Sequence, residues 1–166
     1  ISMKPVRISG YRRGWFQHFD HNGSPYAGLG LLDATSNAPV YGANLKVTLD
    51  SIDSVFEKEK LYKSVVVETE DKFGNRERAI TFESVEIARN DATIPISYLV
   101  AVVEGWIDVY GNKSLATFFE NTETPDLEIH DDLQNPVYTR VPESAKKLAQ
   151  KTQKFFYQSK RASAMR

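Results

Sequence analysis

The chain has 166 residues, 41% of them apolar and 26% charged, with a net charge of −1 and no cysteine. A chain of this length can bury a core of its own, and without cysteine it excludes disulfide frameworks, thiolate metal centres and cysteine nucleophiles. Its longest apolar run, from Tyr98 to Val103, stops at Glu104, far short of the roughly 20 residues that cross a bilayer.

The opening residues carry no apolar signal core behind Lys4, which points to a cytoplasmic protein with no membrane partner. Ile1 and Ser2 precede Met3, so the natural start is expected at Met3 or upstream of it. Residues 5–19, with Val6, Ile8, Tyr11, Trp15 and Phe16, read as strand and run into the turn-forming sequence 20–25. Strands are expected again at 26–33 and 39–48. Residues 50–59 read as a short helix capped by Asp50 or Ser51, with Ile52, Val55 and Phe56 on one face. The β-branched run 65–67 marks a strand over 62–70, and a turn at 71–75 predicts its hairpin partner at 76–88. From 96 to 110, Leu99, Val102, Val103, Trp106 and Ile107 form a helical stripe that Gly111 ends. A short helix opens at Ser114, a polar loop covers 121–138, and a basic helix follows Pro142 over 143–160. Short strands first and helices later predict an α+β fold, with the strands closing into a small mixed barrel that hides its edges.

Charge is unevenly distributed. Residues 139–166 hold eight basic side chains against Glu143 alone, leaving the remainder acidic. Such a helix either lies across its own domain or recruits a protein partner. It lacks the aromatic and arginine alternation of a single-strand binder, so nucleic acid is not expected.

The three histidines, His18, His21 and His130, have no metal-ligand spacing, and no phosphate-cradling glycine motif occurs, so neither metal nor nucleotide is expected. The adjacent Asp131 and Asp132 read as a loop or helix-capping pair, because neighbouring side chains on an extended backbone diverge. Glu59 stands apart. It ends the first helix just before the apolar strand, where a partly apolar cleft raises a carboxyl pKa and makes a usable proton shuttle.

Four collinear segments resemble the gamma-glutamylcyclotransferase-like family. They are Gly10-Tyr11-Arg12-Arg13-Gly14-Trp15, then Tyr41-Gly42-Ala43-Asn44-Leu45-Lys46-Val47, then Phe56-Glu57-Lys58-Glu59-Lys60-Leu61-Tyr62-Lys63. The last is Ile96-Ser97-Tyr98-Leu99 with Phe118-Phe119 and the stretch from Asp132 to Pro136-Val137-Tyr138. The resemblance covers residues 6–140, so it implies a family domain over 1–140 and a separate basic helix and tail over 141–166.

It also implies one pocket, a mixed barrel with flanking helices, and no cofactor. In the family's reaction the α-amine of a γ-glutamyl group attacks its own γ-carbonyl and releases 5-oxoproline. The position matching the acid/base is Glu59, and Tyr11, Arg13, Tyr98 and Tyr138 match the surrounding substrate-binding positions. Four features depart from the pattern. The YGSL or YGSN loop would lie upstream of residue 1, Lys60 replaces a glycine beside Glu59, Leu133 replaces an arginine, and Glu86 stands where the strand usually offers an aromatic. A cation at position 60 is expected to lower the Glu59 pKa. These departures predict a degenerate member that binds a γ-glutamyl-type molecule or a protein. The alternatives are an active cyclotransferase and an unrelated assembly protein working through the basic helix.

Overall fold

The computed structural model describes residues 2–35, 38–138 and 145–165. Among the described residues, eight strands and four α-helices are arranged in two compact units, the first formed by residues 1–12 and 30–85 and the second by 13–29 and 86–166.

In the first unit, β1 (Met3–Ile8), β4 (Val40–Leu45), β5 (Tyr62–Glu70) and β6 (Arg76–Ser84) make an antiparallel sheet in the order β4-β1-β5-β6. Helix α1 (Leu49–Lys58) connects β4 to β5. Its cap is Thr48, two or three residues earlier than expected, and the Thr48 hydroxyl lies 3.0 Å from Ser51 Oγ. The β5–β6 register pairs Tyr62 with Ser84 and Glu70 with Arg76 across the anticipated turn.

Asp71 organises that turn. Its Oδ1 accepts the N–H groups of Phe73 and Asn75, both at 2.9 Å, while Lys4 lies 3.1 Å from Oδ2. Burial alone would raise this carboxyl, but the hydrogen bonds from Asn75, Lys4 and Phe73 outweigh it and hold it at about 2. A depressed carboxyl stabilises the fold above its unfolded pKa, near 4, and that contribution is lost as pH falls toward 2. Thermal unfolding between pH 5 and 2 should therefore show an acid loss that is smaller in Asp71→Asn than in the parent.

The second unit contains β2 (Tyr11–His21), β3 (Ser24–Asp33), β7 (Thr93–Pro95) and β8 (Glu128–His130) in that order, the division between units falling within β2 and β3. Asn22 and Gly23 have φ of 50° and 78°, the left-handed pair that a two-residue hairpin turn requires. β7 pairs in parallel with both β3 and β8. The core lies between this sheet and α2 (Ile96–Tyr110), α3 (Leu115–Glu120) and α4 (Ala145–Ala164). Trp15, Ile96, Leu99, Val103, Phe118 and Phe156 are all buried there.

Several expectations are corrected. The strand read over 5–19 is two strands, because Gly10 at φ 83° turns the chain between them. The partner strand read over 76–88 ends at Ser84, and beyond it Glu86 and Ala88 bond instead to the backbone of β2 at His18 and Phe16. The loop over 121–138 contains β8. Among the described residues the strands form two four-stranded sheets, and no closed barrel is found. The basic helix is present over Ala145–Ala164, and the expected start at Pro142 and Glu143 lies outside the described residues.

Helix α4 packs on α2 and α3. Its Phe155 ring stacks on Phe119 at 6.1 Å, and Lys160 donates to Leu127 O at 3.0 Å and Glu128 Oε1 at 2.7 Å. Lys146, Lys147, Lys151 and Lys154 are exposed. No described helix is long and apolar enough to cross a membrane.

Candidate functional site

Glu59 caps the C-terminal end of α1. Its N–H donates to Val55 O at 3.1 Å, and its carbonyl accepts the Tyr62 N–H at 2.9 Å. The backbone thus passes from helix to strand within three residues, which leaves the Glu59 side chain half-buried. Burial raises its carboxyl pKa above the ordinary value, with Lys58 as the opposing cation. Lys60 does not act as its position suggests, since its ammonium pairs with Glu57 at 2.9 Å. A lysine adjacent in sequence is drawn instead to the carboxylate three residues back across the helix end, and the expected lowering of Glu59 does not occur. No hydrogen bond or ion pair engages the Glu59 carboxylate among the described residues.

Tyr11 is half-buried, and its hydroxyl donates to Glu83 Oε1 at 2.8 Å. Burial and the Glu83 charge push the phenol up to about 12, so it remains a neutral donor in neutral solution. Glu83 faces Lys63 across the hairpin, one pair beyond Tyr62 and Ser84. The Tyr11–Glu83 pair thus belongs to the hairpin end at which Glu59 leads into β5. Sequence reasoning missed Glu83, because 72 positions separate it from Tyr11 and no local pattern links them.

The remaining candidates belong to the second unit. Arg13 is buried, with Nε donating to Thr122 Oγ1 at 3.0 Å and its guanidinium over Phe118 and Trp106 at 4.7 and 5.2 Å. Burial lowers its pKa to about 10. Tyr98 accepts the Leu29 N–H at 2.9 Å, and its ring meets that of Tyr138 edge-on at 5.9 Å. The structure therefore brings Tyr98 and Tyr138 together.

Below those rings, buried Asp132 accepts the Ser97 N–H at 2.9 Å, the Ser97 hydroxyl at 2.5 Å and the Val137 N–H at 2.7 Å. The Ser97 oxygen in turn accepts the Tyr138 N–H at 3.2 Å. Two segments that carry the sequence resemblance are therefore joined by a staple at the start of α2. Its geometry is that of a helix cap, one carboxylate taking both the N–H and the hydroxyl of Ser97 at the first turn of α2.

His18 is buried with Nε2 3.3 Å from Asp20, whereas His21 and His130 are exposed. Among the described residues no three His, Asp or Glu side chains are grouped to hold a metal ion.

No family model matches the sequence, and no curated protein matches it. Solved structures do. A gamma-glutamyl cyclotransferase superposes with a TM-score of 0.62 at 12% identity, covering 90% of this chain and 85% of its own. A human protein described as uncharacterized gives a TM-score of 0.61 at 11% identity with the same coverages. The mixed α+β arrangement of two sheets and four helices is thus the gamma-glutamyl cyclotransferase fold.

Proposed function

We propose that the protein acts on a γ-glutamyl amine, with Glu59 as the general acid/base that closes the glutamyl group into 5-oxoproline. The observation carrying this reading is the half-buried Glu59 carboxyl, raised by burial and left unpaired while Lys60 pairs with Glu57. Cyclisation forms a bond from the α-nitrogen to the γ-carbonyl carbon and breaks the bond to the departing amine. One proton must leave the attacking nitrogen and one must reach the leaving nitrogen, so a single carboxylate serves both transfers with no net change. Tyr11, whose single O–H is committed to Glu83, is left with its oxygen as an acceptor for a substrate N–H.

Release of 5-oxoproline from a panel of γ-glutamyl amines and dipeptides tests the reading. Turnover is expected, and Glu59→Gln should reduce it by about 10² to 10⁴, because the amide keeps the shape but cannot carry the proton. The acid limb of kcat/KM should lie above the ordinary glutamate value of 4.5, since the carboxylate form starts the reaction. The same raised pKa predicts that Glu59's share of folding stability, full at low pH, is lost as pH rises through it. Glu59→Gln should abolish that component of the melting profile. A γ-glutamyl ligand that raises Tm without turnover would leave a binding protein and remove Glu59 from the chemistry. The absence of both turnover and a Tm shift would overturn the assignment.

A further inference from the structure

A groove of about 690 Å³ opens within the first unit between α1 and the sheet, and Glu59 is not part of its lining. Phe82, Ile80 and Arg78 alternate onto one face of β6, and Val66 lies directly opposite Ile80 on β5. Phe56 from α1 meets Phe82 at 6.0 Å and closes one end. Between the ends the wall is apolar and open, with Ile80 49%, Val66 59% and Leu45 48% exposed.

The other end is cationic. Leu45 pairs with Met3 and Arg7 with Glu70, so Lys46 falls toward the turn at 71–75, as does Arg78, which lies opposite Glu68. The acidic groups at that end are already occupied. Glu77, itself in the lining, takes Lys4 at 3.2 Å, a cation it shares with Asp71, and Glu68 takes Arg76 at 3.2 Å. Lys46 and Arg78 have no ion pair among the described residues, and both line the groove.

The geometry points to a single-chain amphipathic anion, such as a free fatty carboxylate, as the occupant of this groove. We infer that its tail lies along Leu45, Val66 and Ile80 toward the Phe56–Phe82 pair, with its carboxylate between Lys46 and Arg78. The volume is in the range of ligand sites, and an apolar trough ending in two unpaired cations complements such a molecule in both shape and charge. A neutral hydrocarbon would leave the cations unanswered, and a short anion would leave the apolar wall in water. This inference does not depend on the activity proposed for Glu59.

Calorimetric titration of the full chain with straight-chain carboxylates of increasing length, each kept below its micelle concentration, tests it. Affinity should rise about fourfold per methylene until the groove is filled, and it should fall as salt is raised. The alcohol of equal length should bind at least about tenfold more weakly, as should the carboxylate to Lys46→Gln/Arg78→Gln. Ile80→Glu, at an exposed position that leaves folding intact by its melting curve, should abolish binding. Failure of every carboxylate to bind overturns the inference. So does equal binding of alcohol and carboxylate, or retention on anionic vesicles without uptake of the monomeric carboxylate. Full binding by Ile80→Glu would place the ligand elsewhere and overturn it as well.

Discussion

Replacing Asp132 with alanine is expected to lower the melting temperature by roughly 6–20 °C. Asp132 is 5% exposed and accepts from both polar groups of Ser97 and from the Val137 N–H. Removing it strands buried donors, each costing about 1–3 kcal/mol, for a total of about 3–5 kcal/mol after partial rearrangement. At this chain length 1 kcal/mol corresponds to about 2–4 °C. It also uncaps α2, whose preceding residue, Pro95, offers no side-chain hydrogen bond to the helix. Asp132→Asn keeps one acceptor oxygen and should lose about half as much. A melting temperature unchanged in Asp132→Ala would show that the Ser97 and Val137 donors find other partners at no cost.

Trp15→Ala should be of similar severity for a different reason. Trp15 is fully buried, with its ring 6.4 Å from Tyr98, 6.3 Å from Phe118 and 6.5 Å from Phe156. Its loss leaves a cavity beneath α2, α3 and α4, at a cost of about 3–5 kcal/mol by denaturant titration. Trp15→Phe should cost less than half of that, because the buried indole N–H has no hydrogen-bond partner among the described residues and its removal forfeits no bond. Trp106 provides the contrast. Its N–H donates to Ser114 Oγ at 2.8 Å, so Trp106→Phe surrenders a hydrogen bond as well as area. If Trp15→Phe proves as damaging as Trp15→Ala, the core is specified by the indole's shape rather than by its apolar volume.

Where neighbours in the sequence make the structure, the chain was legible. The helix Ile96–Tyr110 was readable because Leu99, Val103 and Trp106 repeat at helical spacing and Gly111 ends it at φ 84°. The strand Tyr62–Glu70 and its turn were readable from a β-branched run followed by Asp71 and Gly74. Glu59 was legible as the carboxylate at a helix-to-strand passage, and Asp132 as one of a possible capping pair. The three-residue strands β7 and β8 were not, since their pairing is parallel and each is too short for a periodicity of its own.

The candidate site divides in the same way. Which residues are acidic, aromatic or basic around residues 56–63 was determined by the sequence, together with the resemblance that singled out Glu59. The direction of the Glu59 pKa was decided only in the tertiary structure, because proximity along the chain put Lys60 beside it while the helix end turned Lys60 to Glu57. The Tyr11–Glu83 pair and the capping of α2 by Asp132 were likewise tertiary decisions, each joining residues more than thirty positions apart. The gathering of strands into two sheets was another, since alternation of side chains specifies a strand's faces but not the strand that will lie beside it.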